Sequence, residues 1–188
     1  MNRIDRIKEL QAPLSIDEVS FRIGHISIKG SATMLAYKNA RADINRLNKA
    51  FGLGYWQRKH ERIGAKEFCS VGVWNAEINQ WCWVQDVGTE SNTEKEKGES
   101  SDAFKRACFN LGIGIELYDY PVIRIQLKDN EFKIHEYNNK KTAKPTWNLE
   151  LNKWVWHSIF ENGKLAYLGG KDTLGNLRFK FDKREKTT

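Results

Sequence analysis

Apolar residues recur at helical spacing within residues 97–121, KGESSDAFKRACFNLGIGIELYDYP. The apolar positions, three or four residues apart, are Ala103, Phe104, Ala107, Cys108 and Leu111. This spacing is typical of one buried helix face. Gly112 and Gly114 follow, and glycine tolerates the backbone conformation that ends helices. We therefore expect a helix over Lys97–Leu111, with Lys105 and Arg106 outside its apolar stripe.

A second helical pattern covers Ala32–Phe51 and ends at Gly52. Its apolar stripe consists of Tyr37, Ala40, Ile44, Leu47 and Phe51, and a polar, mostly basic stripe consists of Lys38, Arg41, Asn45 and Lys49. A solvated surface face and a binding face both remain open interpretations of the basic stripe. Residues 3–10 predict a short amphipathic helix, which Pro13 separates from the next segment of the chain.

Between the two long helices, three stretches favour β-strands. They are Tyr55–Ile63, Glu67–Trp74 and Gln80–Gly88, and the first two flank a predicted tight turn at Gly64–Lys66. In the third stretch one set of alternate residues is Trp81, Trp83 and Gln85, as expected of a half-exposed strand. The short connections predict an antiparallel β-meander. The Lys97–Leu111 helix would cover one face of this sheet.

The rest of the chain predicts further β structure. Residues 122–137 alternate on both sides of Asp129-Asn130, which indicates a β-hairpin, and Asn138–Pro145 has the composition of a basic linker. Later strands flank a turn at residues 161–163, whereas residues 23–28 fit either a strand or an irregular connection. We expect an α+β fold with a core domain over residues 1–137 and a basic, β-rich extension over residues 138–188.

The amino-acid composition limits which classes of protein this chain can belong to. The 188 residues are 40% hydrophobic with seven tryptophans, which argues against disorder. No 18-residue apolar run and no secretion-type leader occur, so we expect no membrane span and a cytoplasmic protein. The three cysteines, Cys69, Cys82 and Cys108, form no CxxC pair. Free thiols in the core are the expectation.

Positive charge is concentrated towards the C-terminus. Residues 140–188 hold 11 Lys and Arg against 5 Asp and Glu, whereas residues 1–139 hold 20 against 19. A basic segment beside a nearly neutral core fits a polyanionic partner, and solubility alone would also explain it.

The sequence offers little for catalysis. The glycines lack the Gly-Lys-Ser/Thr ending of a nucleotide-binding loop, and the four histidines are scattered without metal-ligand spacing. The acidic run over residues 86–102 favours a solvated helix start over a nuclease metal site. We expect no catalytic residues, no metal and no cofactor. Nucleic-acid binding, which needs cations and stacking aromatics, fits better.

A family resemblance centres on the same helix. The run Asp102-Ala-Phe-Lys-Arg-Ala107, then Asn110-Leu-Gly112 and Leu117-Tyr-Asp119, resembles the signature of single-strand annealing proteins. These are the eukaryotic Rad-type recombination mediator and its Sak-type phage relatives. The resemblance covers about Lys29 to Tyr120, half of the chain, and the Gly-Ile-Gly ending is more similar to the phage members.

The resemblance implies DNA-contacting positions. Lys105 and Arg106 fall where the family has its inner DNA groove, and Tyr37 falls near DNA, although periodicity equally places it in a core. Lys29 matches a basic residue before the helix, and Lys66 a basic position of a second, outer DNA site. Lys38 and Arg41 are candidates from the basic stripe alone. One position departs from the family, because Phe109 stands where the eukaryotic pattern has a further Arg.

The function implied is passive annealing of complementary single strands in homologous recombination, without ATP, by a ring or helical filament of subunits. A phage origin fits best, and the basic C-terminal segment is a candidate for recruiting duplex DNA or a host single-strand binding protein. The alternatives are a single-strand protector that does not anneal and an assembly protein without a DNA role. We expect Trp56, Trp74, Trp81 and Trp83 to be structural.

Overall fold

The computed structural model describes residues 3–89 and 95–184. As predicted, the fold is α+β, and its strands form antiparallel sheets. The α-helices of these residues are α1 (Arg3–Gln11), α2 (Ala40–Phe51) and α3 (Lys95–Phe109). The strands are β1 (Val19–Ile26), β2 (Ser31–Lys38), β3 (Trp56–Ile63), β4 (Lys66–Asn75), β5 (Gln80–Val87), β6 (Ile123–Gln126), β7 (Phe132–Tyr137), β8 (Lys140–Pro145), β9 (Val155–Glu161), β10 (Lys164–Lys171) and β11 (Leu177–Asp182).

The chain forms two compact units. The first takes the described residues of segments 1–14 and 38–115, and the second takes those of segments 15–37 and 116–188. Short 3₁₀ turns lie in the connections between elements, at Ile16–Glu18, Ile115–Asp119, Trp147–Leu149 and Leu151–Lys153. Across the described ranges, every helix is too short or too polar to span a bilayer.

The first unit contains the predicted meander. Its strand order is β3-β4-β5, and β4 is the central strand with both neighbours antiparallel to it. Cys69 and Val71 of β4 are fully buried beneath α3, which packs on β4 and β5. The meander and the helix after it are thus confirmed, with α3 displaced from the predicted bounds by two residues at each end.

The helix predicted over Ala32–Phe51 is wrong over its first eight residues. The chain is extended through β2, and α2 begins only at Ala40, where the Asn39 side chain accepts hydrogen bonds from the amides of Arg41 and Ala42. β2 is the central strand between β1 and β6, and residues 31–34 pair with β6, so strand pairing overrides the helix that the pattern predicted. Tyr37 and Lys38 therefore belong to a strand and not to a helical stripe.

The second unit consists of a β1-β2-β6 sheet, a β9-β10-β11 sheet and the two-stranded β7-β8 ribbon. Its core is built from alternate residues of these strands together with side chains of the connections. The buried members are Ile26, Ala32, Met34, Ile123, Ile125, Leu127, Leu149, Trp154 and Leu168. The ring of Phe21 stacks on Trp156 at 3.8 Å between centroids.

Two C-terminal predictions are wrong. The stretches on either side of Asp129-Asn130 do not form one hairpin, because β6 pairs with β2 whereas β7 pairs with β8. Asn138–Pro145 is not a linker, since Lys140–Pro145 is strand β8. The predicted domain boundary at residues 137 and 138 falls in the β7–β8 turn and does not coincide with the division into units.

Candidate nucleic-acid interface

Helix α3 is fixed on the meander by its apolar face. Ala103, Phe104, Ala107 and Cys108 have no exposed surface. The ring of Phe104 lies against Trp56 at 6.4 Å between centroids, and the Arg58 guanidinium lies 4.6 Å from the Phe104 ring centroid. Side chains held this tightly fix the rotation of the helix about its axis, and therefore the positions of the residues between them.

Lys105 and Arg106 occupy partly exposed positions on α3, as the periodicity predicted, but they face different neighbours. Nε of Arg106 donates to Oδ1 of Asp86 on β5 at 3.1 Å, and 40% of the Arg106 side chain remains exposed. Lys105 is half-buried, and its charge acts on the carboxylate of Asp43 on α2. The two cations, adjacent on the helix, thus have acidic neighbours on different elements, Asp86 on β5 and Asp43 on α2.

Lys38 is not a surface residue. Its side chain is 1% exposed, and its ammonium lies 2.5 Å from Oδ1 of the buried Asp43 and donates to the Ile113 carbonyl at 2.6 Å. A buried ammonium cannot touch a phosphate in this conformation. The basic stripe misplaced Lys38 because the residue is in β2, so we remove it from the candidate DNA contacts.

Burial raises the pKa of Asp43 to about 6, although the Lys38 ammonium opposes the shift. The same environment raises the pKa of the neighbouring Cys108 thiol well above its ordinary range, again mainly through burial. This polar cluster inside the first unit ties the start of α2 to the turn that follows α3. Its function is therefore structural.

Phe109, which stands where the eukaryotic annealing proteins that the motif resembles have a further Arg, packs against a buried cation. Its ring centroid lies 4.0 Å from Nζ of Lys38, which places an aromatic face against the buried ammonium. An arginine there would put a second positive charge beside Lys38. The aromatic residue therefore suits the Lys38–Asp43 pair of this chain.

The remaining candidates are divided between the two units. Arg41, in the first turn of α2, and Lys66, at the start of β4, are exposed in the first unit. Lys29, in the exposed β1–β2 turn, and Tyr37 belong to the second unit. Tyr37 is 37% exposed, and the Arg22 guanidinium lies 5.9 Å from its ring centroid. Of the predicted contacts other than Lys38, the first unit therefore holds Lys105, Arg106, Arg41 and Lys66.

Aromatic residues of the meander divide into two groups. Trp56 is structural, since its ring stacks on Phe104 and its Nε1 donates to Oδ1 of Asn48 at 2.7 Å. Trp74, Trp81 and Trp83 are on the other face of the sheet, and Trp83 is 40% exposed. Sequence reasoning assigned all four to the structure. The alternation of Trp81 and Trp83 with Cys82 and Val84 was the signal that separates the two groups.

A buried cluster of charges is centred on Arg178 in the second unit. Its guanidinium donates to both carboxylate oxygens of Glu131 at 2.8 and 2.7 Å and to Asp172 at 3.2 Å. Hydrogen bonds from Arg178 and from the Lys128 amide outweigh burial and lower the pKa of Glu131. The cluster closes the β6–β7 and β10–β11 turns onto one another, and its function is therefore structural.

Metal binding finds no support in the part of the chain that the structure describes, because it contains no group of three His, Cys, Asp or Glu residues placed to hold an ion. Comparison with known proteins adds no family. No protein-family model matches the sequence. No curated protein shows a significant match either. The resemblance to single-strand annealing proteins therefore rests on its own motif residues.

Proposed function

We propose that the protein binds single-stranded DNA and anneals complementary strands without ATP. The observation that carries the proposal is the placement of Lys105 and Arg106 on α3, a helix whose opposite face is fully buried on the meander. These are the two basic positions of the motif that resembles the annealing family. Both side chains are partly exposed at places that the packing of Phe104 and Cys108 determines.

Arg106 is a suitable phosphate contact because it is already oriented. Its Nε donates to Oδ1 of Asp86 at 3.1 Å, which orients the guanidinium on its strand-facing side. The planar guanidinium is well shaped for a phosphate, and 40% of this side chain is exposed to one. Asp86 then holds the side chain in place while a DNA phosphate binds at its exposed end.

Annealing follows from neutralising the backbone. Cations that pair with phosphates lower the repulsion between two approaching strands and leave the bases free to pair. Formation of the duplex supplies the driving free energy, so the reaction needs no nucleotide hydrolysis. Arg41 and Lys66 in the first unit, with Lys29 and Tyr37 in the second, are further contacts in this proposal.

Affinity in this proposal comes from repetition. A few cations per subunit bind weakly, whereas subunits joined in a ring or filament hold one strand at many points. The described meander ends in β3 on one side and β5 on the other, and an unpaired strand edge can pair with another chain. Pairing of β3 with β5 of the next subunit would extend the sheet through the assembly.

The biological setting that we propose is homologous recombination of a phage or prophage in the cytoplasm of a bacterial host. The excess of Lys and Arg over residues 140–188 supports a further polyanion contact or recruitment of a host single-strand binding protein. A protector that does not anneal and an assembly protein without a DNA role are the rival functions.

Salt-dependent binding tests the DNA contacts. Labelled oligothymidylate is titrated with wild type, with Lys105→Ala/Arg106→Ala, and with Arg3→Ala/Lys8→Ala, which removes the same charge from exposed α1 positions. Each lost phosphate contact reduces the slope of log K against log salt by about 0.7 for single strands. We expect a slope reduced by about 1.4 for the first variant and an unchanged slope for the control.

If the slope of the Lys105→Ala/Arg106→Ala variant equals that of wild type, Lys105 and Arg106 do not contact phosphates. Absence of binding by folded wild-type protein at low salt would contradict DNA binding altogether and favour the assembly protein.

A further inference from the structure

The face of the meander that points away from α3 carries aromatic and basic side chains. Successive residues of a strand point to opposite faces, and Cys69 and Val71 of β4 point towards α3. The register then places the following residues on the other face: Gln57, Lys59, Glu61 and Ile63 of β3, Lys66, Phe68, Ser70, Gly72 and Trp74 of β4, and Trp81, Trp83, Gln85 and Val87 of β5. We call this set the aromatic face.

Trp83 lies flat on this face because its neighbour has no side chain. Gly72 is directly opposite Trp83 in the ladder, and a Cβ added at Gly72 would come within 2.8 to 2.9 Å of three atoms of the indole ring. Trp81 lies beside it at 6.1 Å between centroids, and Trp74 meets Trp81 edge-on at 5.5 Å. The exposed indole is therefore held in a fixed orientation by its surroundings.

A cation accompanies the exposed ring. Nζ of Lys59 reaches across β4 from β3 and lies 4.8 Å from the ring centroid of Trp83 on β5. Lys59 is exposed on its strand, so its ammonium can also reach a bound anion. An aromatic platform with an adjacent, movable ammonium offers both interactions that a single strand uses, stacking of a base and pairing with a phosphate.

We propose that the aromatic face binds a nucleotide of single-stranded nucleic acid, with its base stacked on Trp83 and its phosphate on Lys59. Stacking of a base on an aromatic ring is stronger than an exposed cation–π contact. A base therefore displaces the Lys59 ammonium from the ring, and the ammonium turns to the phosphate. The proposal rests on the single-strand binding proposed above and specifies how the bases are held.

The composition of the face favours a nucleotide over a second copy of the chain. Ser70 and Gln85 bond to each other in the middle of the sheet, at 3.0 Å, and the charged Lys59 and Glu61 follow along β3. These polar groups interrupt the apolar surface, whereas the core of a stable protein interface is depleted of charge. A single exposed indole suits one base per subunit and leaves the other bases free to pair.

The test distinguishes stacking of a base from binding of the phosphates. Oligothymidylate and an abasic oligonucleotide of the same length carry the same phosphates, but only the first can stack. We expect wild type to prefer oligothymidylate by about tenfold, since one stacked base contributes on that scale. Trp83→Ala should reduce the preference to nearly one, and Trp83→Phe should retain part of it.

Two further variants make the test independent of folding defects and of the α3 contacts. Gly72→Ala keeps every tryptophan but tilts the indole off the sheet, so it should also lower the preference. Lys105→Ala/Arg106→Ala should weaken both oligonucleotides equally and leave the preference intact. Circular dichroism confirms that each variant is folded.

An unchanged preference in folded Trp83→Ala would overturn the aromatic-face proposal. Wild type that binds the abasic oligonucleotide as tightly as oligothymidylate would also overturn it, but would not contradict the phosphate contacts proposed on α3. Wild type that binds neither oligonucleotide would overturn the proposed function and this inference together. Dissociation of an oligomer by Trp83→Ala, with the preference retained, would assign the face to contacts between copies.

Discussion

Replacing Lys38 by methionine tests the buried ion pair of the first unit. The substitution keeps a long, flexible side chain but removes an ammonium that contacts Asp43, the Ile113 carbonyl and the Phe109 ring. The side chains of Lys38 and Asp43 are 1% and 0% exposed. Neither group can turn to water, so Asp43 is left without its counter-charge in the interior.

The expected loss is large because the remaining carboxylate stays buried. Removing one partner of a buried pair costs about 3–5 kcal/mol, whereas exposed pairs contribute about 0–1 kcal/mol. Removing both charges with Lys38→Met/Asp43→Ala should recover most of the loss, since no buried charge remains. The double variant also measures how strongly the two residues are coupled.

The loss should grow with pH. Burial raises the pKa of Asp43 from 3.8 to about 6, so the folded state holds this proton more tightly than the unfolded chain. The stabilisation from this group is complete below about pH 4 and is lost as the pH rises through about 6. Without Lys38 the pKa rises further, so Lys38→Met should lose less stability at pH 5 than at pH 8.

Urea unfolding followed by circular dichroism measures these free energies, and labelling of Cys108 reports on the first unit by itself. A loss below about 1 kcal/mol for Lys38→Met would refute the buried pair, because that is the range of a solvated one. DNA binding of the folded variant should be unchanged. A specific loss of binding in a stable Lys38→Met protein would return Lys38 to the DNA contacts.

Two further predictions concern other buried groups. In folded protein a thiol reagent should label Cys82 quickly and the other two cysteines slowly. Cys69 and Cys108 are fully buried, and burial raises the pKa of Cys69 to about 11. Fast labelling of all three thiols before unfolding would contradict this packing. Arg178→Met should lower the unfolding free energy by about 3 kcal/mol at pH 7, because it leaves Glu131 buried and without its guanidinium partner. Since its partners lower the pKa of Glu131, wild type should lose this stabilisation as the pH falls below about 4.5. A difference in unfolding free energy between wild type and Arg178→Met that does not change with pH would contradict this.

The sequence predicts the first unit best where contacts are local. The strands of the meander are consecutive and joined by short turns, so alternation along the chain is enough to identify them. Helix α3 carries a regular stripe that packs on the preceding sheet. Its cationic residues fall outside that stripe, and the structure accordingly leaves Lys105 and Arg106 partly exposed.

Failures occur where a partner is distant in sequence. The helix predicted over Ala32–Phe51 includes residues that form β2, which lies between β1 and β6 and pairs with residues 123–126 through residues 31–34. The β6–β7 segment fails similarly, because the turn at Asp129-Asn130 joins strands of different sheets. Lys38 was misassigned as a consequence, since its position in β2 places it beside Asp43 and away from solvent.

The exposed face of the meander was partly predictable from the tryptophans. Size and hydrophobicity alone favour the core for Trp83, but its alternation with Cys82 and Val84 already placed it on the face opposite them. Which face α3 covers required the three-dimensional packing of Cys69 and Val71. The flat orientation of the indole depends on Gly72, which the register brings opposite it.

Annealing of two complementary labelled oligonucleotides without ATP tests the central claim most directly. Wild type should accelerate annealing over the spontaneous reaction. Lys105→Ala/Arg106→Ala should lose the acceleration while remaining folded and assembled, and Arg3→Ala/Lys8→Ala should retain it. No acceleration by folded wild type over a range of salt concentrations, with single-strand binding verified, would contradict the annealing function and leave a protector of single strands.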